Sequence, residues 1–96
     1  MTEYELDYDL ETITPKMYKV IIHNDDYSTF DFVINILIDI FNKEREEAIE
    51  LTFKIDEVGF AVVGVYPKEI AETKISLVRE IAKTNNFPLL ATMEEE

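Results

Sequence analysis

Residues 17–41 have the sequence MYKVIIHNDDYSTFDFVINILIDIF, which contains the clearest structural signals of the chain. In its first part every second residue from Tyr18 to Ile22 falls on one side of an extended chain, which predicts a β-strand. The residues from Asn24 to Tyr27 then interrupt the alternation with side chains that favour turns. The stretch therefore predicts a strand that ends in a polar turn.

A helix is predicted directly behind this turn. Ser28 and Asp31 have the spacing of a capping box, which marks a helix start. Apolar residues follow at helical spacing, and further apolar residues on the flanks indicate burial on more than one side. The predicted inward positions are Phe30, Val33, Ile34, Leu37, Ile40 and Phe41.

A second helix and a second strand are predicted after it. Asn42 is a suitable N-cap, and Gly59 is placed to end the helix in a left-handed conformation. The inward face of this helix would carry Ala48, Leu51, Thr52 and Ile55. Residues 60–66, FAVVGVY, form a continuous apolar run typical of a central strand, in which Gly64 indicates a bulge or a close backbone contact.

The last third of the chain predicts a helix and a short strand. Pro67 suits the first turn of a helix, which would run to about Asn85. Its predicted inward residues are Ala71, Ile75, Val78 and either Ile81 or Ala82. After a turn at Asn85-Asn86, residues 88–93 supply a strand and residues 94–96 a solvated end. The order βααβαβ predicts an α+β fold, with three helices on one face of a small, mainly antiparallel three-stranded sheet.

Composition limits the classes of function. The chain has 96 residues, which fits one domain. It carries 9 Lys plus Arg against 21 Asp plus Glu, a net charge of −12. Because nucleic acids and anionic membrane surfaces attract basic proteins, both are excluded as expected partners. The chain contains no cysteine, so thiolate chemistry, disulfides and Cys-ligated zinc are excluded too.

Residues 1–15 predict a flexible, acidic N-terminal extension that ends at Pro15, ahead of a core domain formed by residues 16–96. Alternating Tyr and Leu residues within it leave open a strand that pairs with a partner. The start of the chain is acidic, whereas a secretion signal is basic and then apolar. We therefore expect a cytoplasmic protein and, at this size, a monomer.

Few residues offer catalytic chemistry. His23 is the only histidine, and no Ser or Thr has a base at a recognisable spacing, so His23 is interpreted as a strand-end residue. Oxygen ligands in Asn24-Asp25-Asp26 leave open a cation-dependent hydrolase, although the spacing lacks the trailing Glu of a calcium loop. The alternative is structural: these side chains turn the chain and lie near a positive helix N-terminus. We predict no cofactor, no metal and no enzyme.

Three blocks of the sequence closely resemble the ClpS family of adaptor proteins. They are MYKVIIHNDDYSTFDFV at 17–33, GFAVVGVYPKEIAETK at 59–74 and PLLATMEEE at 88–96, in the family's order and spacing. The resemblance implies a non-enzymatic adaptor of the N-end-rule pathway. Such an adaptor binds substrates (N-degrons) that begin with Leu, Phe, Tyr or Trp, and delivers them to the AAA+ unfoldase ClpA, or ClpC, for degradation by ClpP.

The resemblance also implies roles for single residues. Asn24 and Asp25 match the positions that receive the α-amino group of the substrate, and Asp26 and Ser28 match positions at its backbone or at the pocket edge. The hydrophobic pocket would be lined by Phe30, Val33, Thr52, Ile55 and Leu89.

The chain departs from the usual family pattern at three positions. Phe30 replaces a methionine at the pocket gate with a larger, stiffer side chain. Thr52 replaces a methionine in the pocket wall with a smaller, more polar residue. Asp56 stands where a histidine usually helps to hold the α-amino group. An ionised Asp accepts a bond from an ammonium but donates none, so we predict that amine binding is retained.

The chemistry of this site is independent of the family. A free α-amino group has a pKa of about 7.7 to 8, so it is mostly cationic at pH 7. Each charge-assisted bond to the ammonium contributes about 1.5 to 3 kcal/mol. Burial of one large side chain contributes roughly 2 to 3 kcal/mol more. After the cost of association is subtracted, we expect micromolar affinity. An internal or acetylated residue has no ammonium, so such a site selects free chain ends.

Docking to the N-terminal domain of the unfoldase is implied for Glu69, Glu72 and Lys74 in the third helix, although a solvated face with charge pairs explains the same residues. The extension matches, by location, the segment through which the family engages the unfoldase. A second hypothesis keeps the docking and discards the pocket: the changes at Phe30, Thr52 and Asp56 would leave a regulator of the unfoldase without degron binding.

Overall fold

A computed structural model describes residues 15–96. The predicted extension, residues 1–15, therefore lies outside the described residues except for Pro15. The elements are β1 (Met17–His23), α1 (Phe30–Asp39), α2 (Arg45–Val58), β2 (Phe60–Pro67), α3 (Lys68–Thr84) and β3 (Leu90–Glu95). The predicted α+β fold and the order βααβαβ are confirmed.

The sheet has the strand order β2-β1-β3, and β1 pairs antiparallel with both neighbours. The helices cover the face that carries Val20 and Ile22, which are fully buried. The prediction that residues 60–66 form a central strand is wrong, since β2 lies at an edge. Its apolar run does not reflect burial on both sides, because Phe60, Val62 and Val65 are exposed.

Gly64 accounts for an irregularity in β2. The register shifts between the pairs Val20↔Gly64 and Ile21↔Val62, which leaves one extra residue on β2 and confirms the predicted bulge. A Cβ atom on Gly64 would overlap the hydroxyl group and the ring of Tyr66. The lack of a side chain thus lets the Tyr66 ring lie against the backbone.

The start of α1 differs by one residue from the prediction. Thr29 is the N-cap, and its Oγ1 accepts a hydrogen bond from the Phe32 backbone N–H at 3.1 Å. The Ser28 side chain therefore does not cap the helix. Phe30, predicted to face inward, is exposed, whereas Ile36 is buried.

The connection from α1 to α2 corrects the prediction for Asn42. Asn42 is left-handed, with φ 56°, and the Lys43 N–H donates to the Leu37 carbonyl at 3.1 Å. This is the geometry of a helix C-terminus, so Asn42 ends α1 instead of capping α2. The N-cap of α2 is Glu44, which makes no side-chain capping bond. At the other end, Gly59 has φ 104° and ends α2 as predicted.

Helix α3 packs on all three strands. Its buried residues include Ala71, Val78 and Ala82, and these small side chains let the helix approach the sheet closely. Ile81, the other predicted inward position, is exposed. Strand β3 continues to Glu95, into the end that was predicted to be solvated. Among residues 15–96, no helix combines the length and the apolar character that crossing a membrane requires.

Candidate functional site

A pocket forms where the turn after β1 meets the C-terminal half of α2. Among the described residues it is lined by His23, Asn24, Asp25, Ser28, Phe30, Val33, Thr52, Ile55, Asp56 and Leu89. The structure thus brings together the predicted amine-binding residues and the predicted apolar residues. Asp26 is the exception: it is exposed and does not line the pocket.

A backbone hydrogen bond explains why Asn24 and Asp56 line the same pocket. Gly59 reverses the chain at the end of α2, and its N–H donates to the Ile55 carbonyl at 2.9 Å. Its own carbonyl accepts a hydrogen bond from the Asn24 N–H at 2.8 Å. The C-terminal end of α2 is therefore fastened to the residue that follows β1, and Asn24 and Asp56 line the same pocket.

Asp25 organises the turn. Its Oδ1 accepts hydrogen bonds from the backbone N–H groups of Tyr27, at 2.8 Å, and Ser28, at 2.6 Å. Burial raises the pKa of the Asp25 carboxyl, but the Ser28 N–H, the Ser28 hydroxyl and the Tyr27 N–H together outweigh burial, and the pKa is lowered from its usual value of 3.8. The geometry of the Ser28 hydroxyl falls short of a full hydrogen bond. Asp25 is therefore an anion at neutral pH.

Two buried polar atoms of the pocket are left without a hydrogen-bond partner. They are Oδ2 of Asp25 and Oγ of Ser28. Buried polar groups are almost always paired in folded proteins, so an unpaired carboxylate oxygen needs an explanation. A carboxylate accepts and does not donate, so the group that would complete it is a hydrogen-bond donor, best a cationic one.

The wall of the pocket is apolar. Val33, Ile55 and Leu89 are buried members of the hydrophobic core. Thr52 is 3% exposed, and its hydroxyl donates to the Ala48 carbonyl at 2.7 Å within α2. Because this hydroxyl is already paired, Thr52 adds less polarity to the wall than its residue type suggests.

The pocket is narrow in this conformation. Its cavity has a volume of about 10 Å³, roughly the space of one water molecule. Most of the apolar lining is fixed in the core, but Phe30 is 40% exposed at the rim. Admission of a large side chain therefore requires the lining to open, and Phe30 is the most exposed of its apolar residues.

His23 lines the pocket, although sequence analysis interpreted it only as a strand-end residue. It does end β1, and its Nε2 lies 2.8 Å from Oγ1 of Thr92 in β3. The imidazole is therefore anchored to the neighbouring strand. Its position directly before Asn24 was the sequence signal for its presence in the lining.

Acidic residues do not gather into a metal site in the described part of the chain. Between residues 15 and 96, no group of three or more His, Cys, Asp or Glu side chains is placed to hold a metal ion. Asp25 uses one oxygen to hold its own turn, and Asp26 is directed to solvent.

The three predicted docking residues of α3 are in different environments. Glu69 and Glu72 are exposed. Lys74 is half-buried, and its Nζ donates to the Ile40 carbonyl at 2.6 Å. The same Nζ lies 5.7 Å from the ring centroid of Phe41 and 5.1 Å from that of Tyr66. Lys74 thus fastens α3 to the end of α1.

Comparison with known proteins identifies the class to which this fold and pocket belong, the adaptors of the ATP-dependent Clp protease. The family described as "ATP-dependent Clp protease adaptor protein ClpS" matches residues 13–92. A ClpS adapter from Nautilia profundicola is 52% identical over 94 residues, which cover 98% of this chain and 97% of the relative. One from Clostridium acetobutylicum is 53% identical over 81 residues, which cover 84% of this chain and 80% of the relative.

The fold agrees with this assignment. The structure of Agrobacterium tumefaciens ClpS2 bound to L-phenylalaninamide has a TM-score of 0.83 and 36% sequence identity, and the match covers 86% of this chain and 100% of that one. The chain belongs to the ClpS family.

Proposed function

We propose that this adaptor binds the free N-terminal Leu, Phe, Tyr or Trp of substrate polypeptides and delivers them to the unfoldase ClpA or ClpC in the cytoplasm. One observation carries the proposal: an unpaired, buried carboxylate oxygen of Asp25 belongs to the same pocket as an apolar wall. A free N-terminus with a large apolar side chain carries both complementary groups on one residue.

The polar part of the pocket suits an ammonium. Asn24, Asp25 and Asp56 supply oxygen acceptors, and the described lining residues include no Lys or Arg. Each charge-assisted bond contributes about 1.5 to 3 kcal/mol. Asp56 accepts such a bond as well as a histidine does, so its presence is compatible with amine binding.

The apolar part suits one large side chain. Burial of a Leu or Phe side chain contributes roughly 2 to 3 kcal/mol. The ligand named for the Agrobacterium relative, L-phenylalaninamide, combines a free α-amine with a benzyl side chain. That ligand supports the same two-part recognition in this chain.

Delivery would use α3. Exposed Glu69 and Glu72 are available to a partner, whereas Lys74 is engaged within the chain. We therefore assign direct docking contacts to the two glutamates, and to Lys74 the role of fixing the helix that presents them.

Titration with labelled peptides tests the pocket. Peptides that begin with Leu, Phe, Tyr or Trp should bind with micromolar affinity. Peptides that begin with Ala, and an N-acetylated Phe peptide, should bind far more weakly. Equal affinity for the free and the acetylated Phe peptide would refute the proposal.

The narrow cavity of about 10 Å³ favours one alternative, a regulator that docks to the unfoldase without binding degrons. Full-length chain that binds the unfoldase's N-terminal domain but none of the peptides would select it. The cation-dependent hydrolase at Asn24-Asp25-Asp26 is tested by calorimetry with Mg²⁺ and Ca²⁺. Uptake of either ion with loss of peptide binding would revive that hypothesis.

A further inference from the structure

Two aromatic rings stand together at the mouth of the pocket. Phe30, at the start of α1, and Phe53, in α2, have ring centroids 5.2 Å apart and an interplanar angle of 87°, an edge-to-face arrangement. Phe30 lines the pocket, but Phe53 does not. Nothing in the sequence alone predicts a role for Phe53.

Both rings are accessible. Phe30 is 40% exposed and Phe53 is 53% exposed. A single exposed apolar side chain is ordinary on a protein surface, and such a residue calls for no explanation. This pair differs because Phe30, which Phe53 contacts, is itself part of the pocket lining.

The geometry of a polypeptide places its second residue at this mouth. Consecutive Cα atoms are about 3.8 Å apart, and successive side chains of an extended chain point to opposite sides. A chain whose first side chain enters the pocket therefore directs its second side chain out at the rim. The exposed lining residues there are polar Asn24 and Asp56 and apolar Phe30.

We propose that Phe30 and Phe53 together form a second subsite, which takes an apolar side chain at the second position of the bound polypeptide. This inference rests on the proposed function and adds a specificity determinant to it. Phe53 supplies contact area to the second side chain and holds the Phe30 ring by the edge-to-face contact. An acidic second residue is disfavoured, because Asp25 and Asp56 make the rest of the rim anionic.

The test varies the two peptide positions independently. Labelled peptides that begin Phe-Leu, Phe-Ala, Phe-Asp and Ala-Leu are titrated against wild type and the Phe53→Ala and Phe53→Leu variants. Wild type should prefer Phe-Leu to Phe-Ala by about fivefold, the effect expected from partial burial of the additional methyl and methylene groups. In Phe53→Ala this ratio should fall to about 1, and in Phe53→Leu it should be intermediate.

The preference for Phe over Ala at the first position should survive in both variants. Leu77→Ala, which truncates a residue of α3 with 42% exposure, is the matched control and should keep the wild-type ratios. Thermal unfolding of each variant checks that the fold is intact.

Two outcomes separate the claims. If Phe53→Ala retains the fivefold second-position ratio, or if wild type shows no such ratio while still selecting the first residue, the subsite is refuted and the proposed function stands. If wild type fails to distinguish Phe from Ala at the first position, the proposed function itself is refuted, and the subsite with it.

Discussion

The pocket differs from a second region, the corner where Lys74 contacts Ile40, Phe41 and Tyr66, in whether its charged group has partners within the chain. In the pocket, the Asp25 carboxylate holds its own turn with one oxygen and leaves the other buried without a partner. At the corner, the Lys74 ammonium is bonded to the Ile40 carbonyl and lies near two aromatic rings. A buried charge whose partners lie within the chain stabilises the fold, whereas one with a free site is available to a ligand.

From the sequence, Asp25 and Lys74 are both predicted to contact a binding partner, and the structure separates their roles. Asp25 and Lys74 are both charged residues that lie in blocks resembling the ClpS family. In the structure, Oδ2 of Asp25 has no hydrogen-bond partner, whereas Nζ of Lys74 is bonded to the Ile40 carbonyl. Changes at the pocket should therefore act mainly on peptide affinity, and changes around Lys74 should act mainly on stability.

The largest effect is expected for Asp25→Asn. An amide keeps one oxygen for the turn but presents N–H groups, without charge, at the other position, so an ammonium loses a charge-assisted bond. We expect peptide affinity to fall by about thirtyfold. Asp31→Asn, an exposed change in the first turn of α1, is the matched control and should leave affinity unchanged. Wild-type affinity in Asp25→Asn would contradict the role of the carboxylate in binding the ammonium.

Lys74→Met tests the corner. The substitution leaves the Ile40 carbonyl without its donor and removes both cation–π contacts, so we expect a loss of about 2 kcal/mol in the free energy of unfolding. Chemical denaturation measures this loss, and Lys83→Met, at an exposed position of the same helix, is the control. Peptide affinity should stay within twofold of wild type. A variant as stable as wild type would contradict the structural role.

The pH dependence of binding tests whether peptide affinity depends on the charges of the ligand's amine and of Asp25. The ligand's α-amine titrates at a pKa of about 7.7 to 8, so affinity should fall by about tenfold between pH 7 and pH 9. On the acid side, the lowered pKa of Asp25 keeps its carboxylate charged below pH 3.8. The stability that this anion contributes is present above pH 3.8 and is lost as pH falls through the lowered pKa. Titrations at pH 5 and pH 7 should give equal affinities; an optimum at pH 9 would contradict amine recognition.

The smallest effect is expected at the pocket wall. Thr52→Met adds volume to a site that is 3% exposed, so aromatic first residues should lose about fivefold in affinity relative to Leu. Thr52→Val is the matched control: it keeps the shape and removes only a hydroxyl that is already paired with Ala48. Its peptide preferences should equal those of wild type. A shift in Thr52→Val would show that the hydroxyl takes part in binding.

Local sequence signals predicted most of the fold. The alternation in β1, the helical spacing in all three helices, Gly59 as a helix end and Gly64 at a bulge are properties of neighbouring residues, and the structure agrees with each. The pocket lining was predicted from resemblance, since it combines residues from distant parts of the chain. His23 was missed, because the lining depends on how the turn is folded.

The errors share one physical reason. Asn42 suits a helix N-cap and equally a left-handed helix end, and the contact of Lys43 with Leu37 decides between them. Ser28 and Thr29 are both acceptable caps. An apolar run such as residues 60–66 suits a central strand, but it also suits an edge strand that has one face exposed to solvent. In each case local preferences differ by about 1 kcal/mol or less, so packing selects the outcome.

Local patterns were enough to predict the α+β class, the strands and helices of residues 15–96 to within a few residues, and the likeness of the chain to a family of Clp protease adaptors. Long-range packing was needed to bring Asn24 and Asp56 into one pocket, to engage Lys74 internally and to place Phe53 beside Phe30. Those facts depend on contacts between residues far apart in the chain, whereas periodicity and turn preferences describe only neighbours.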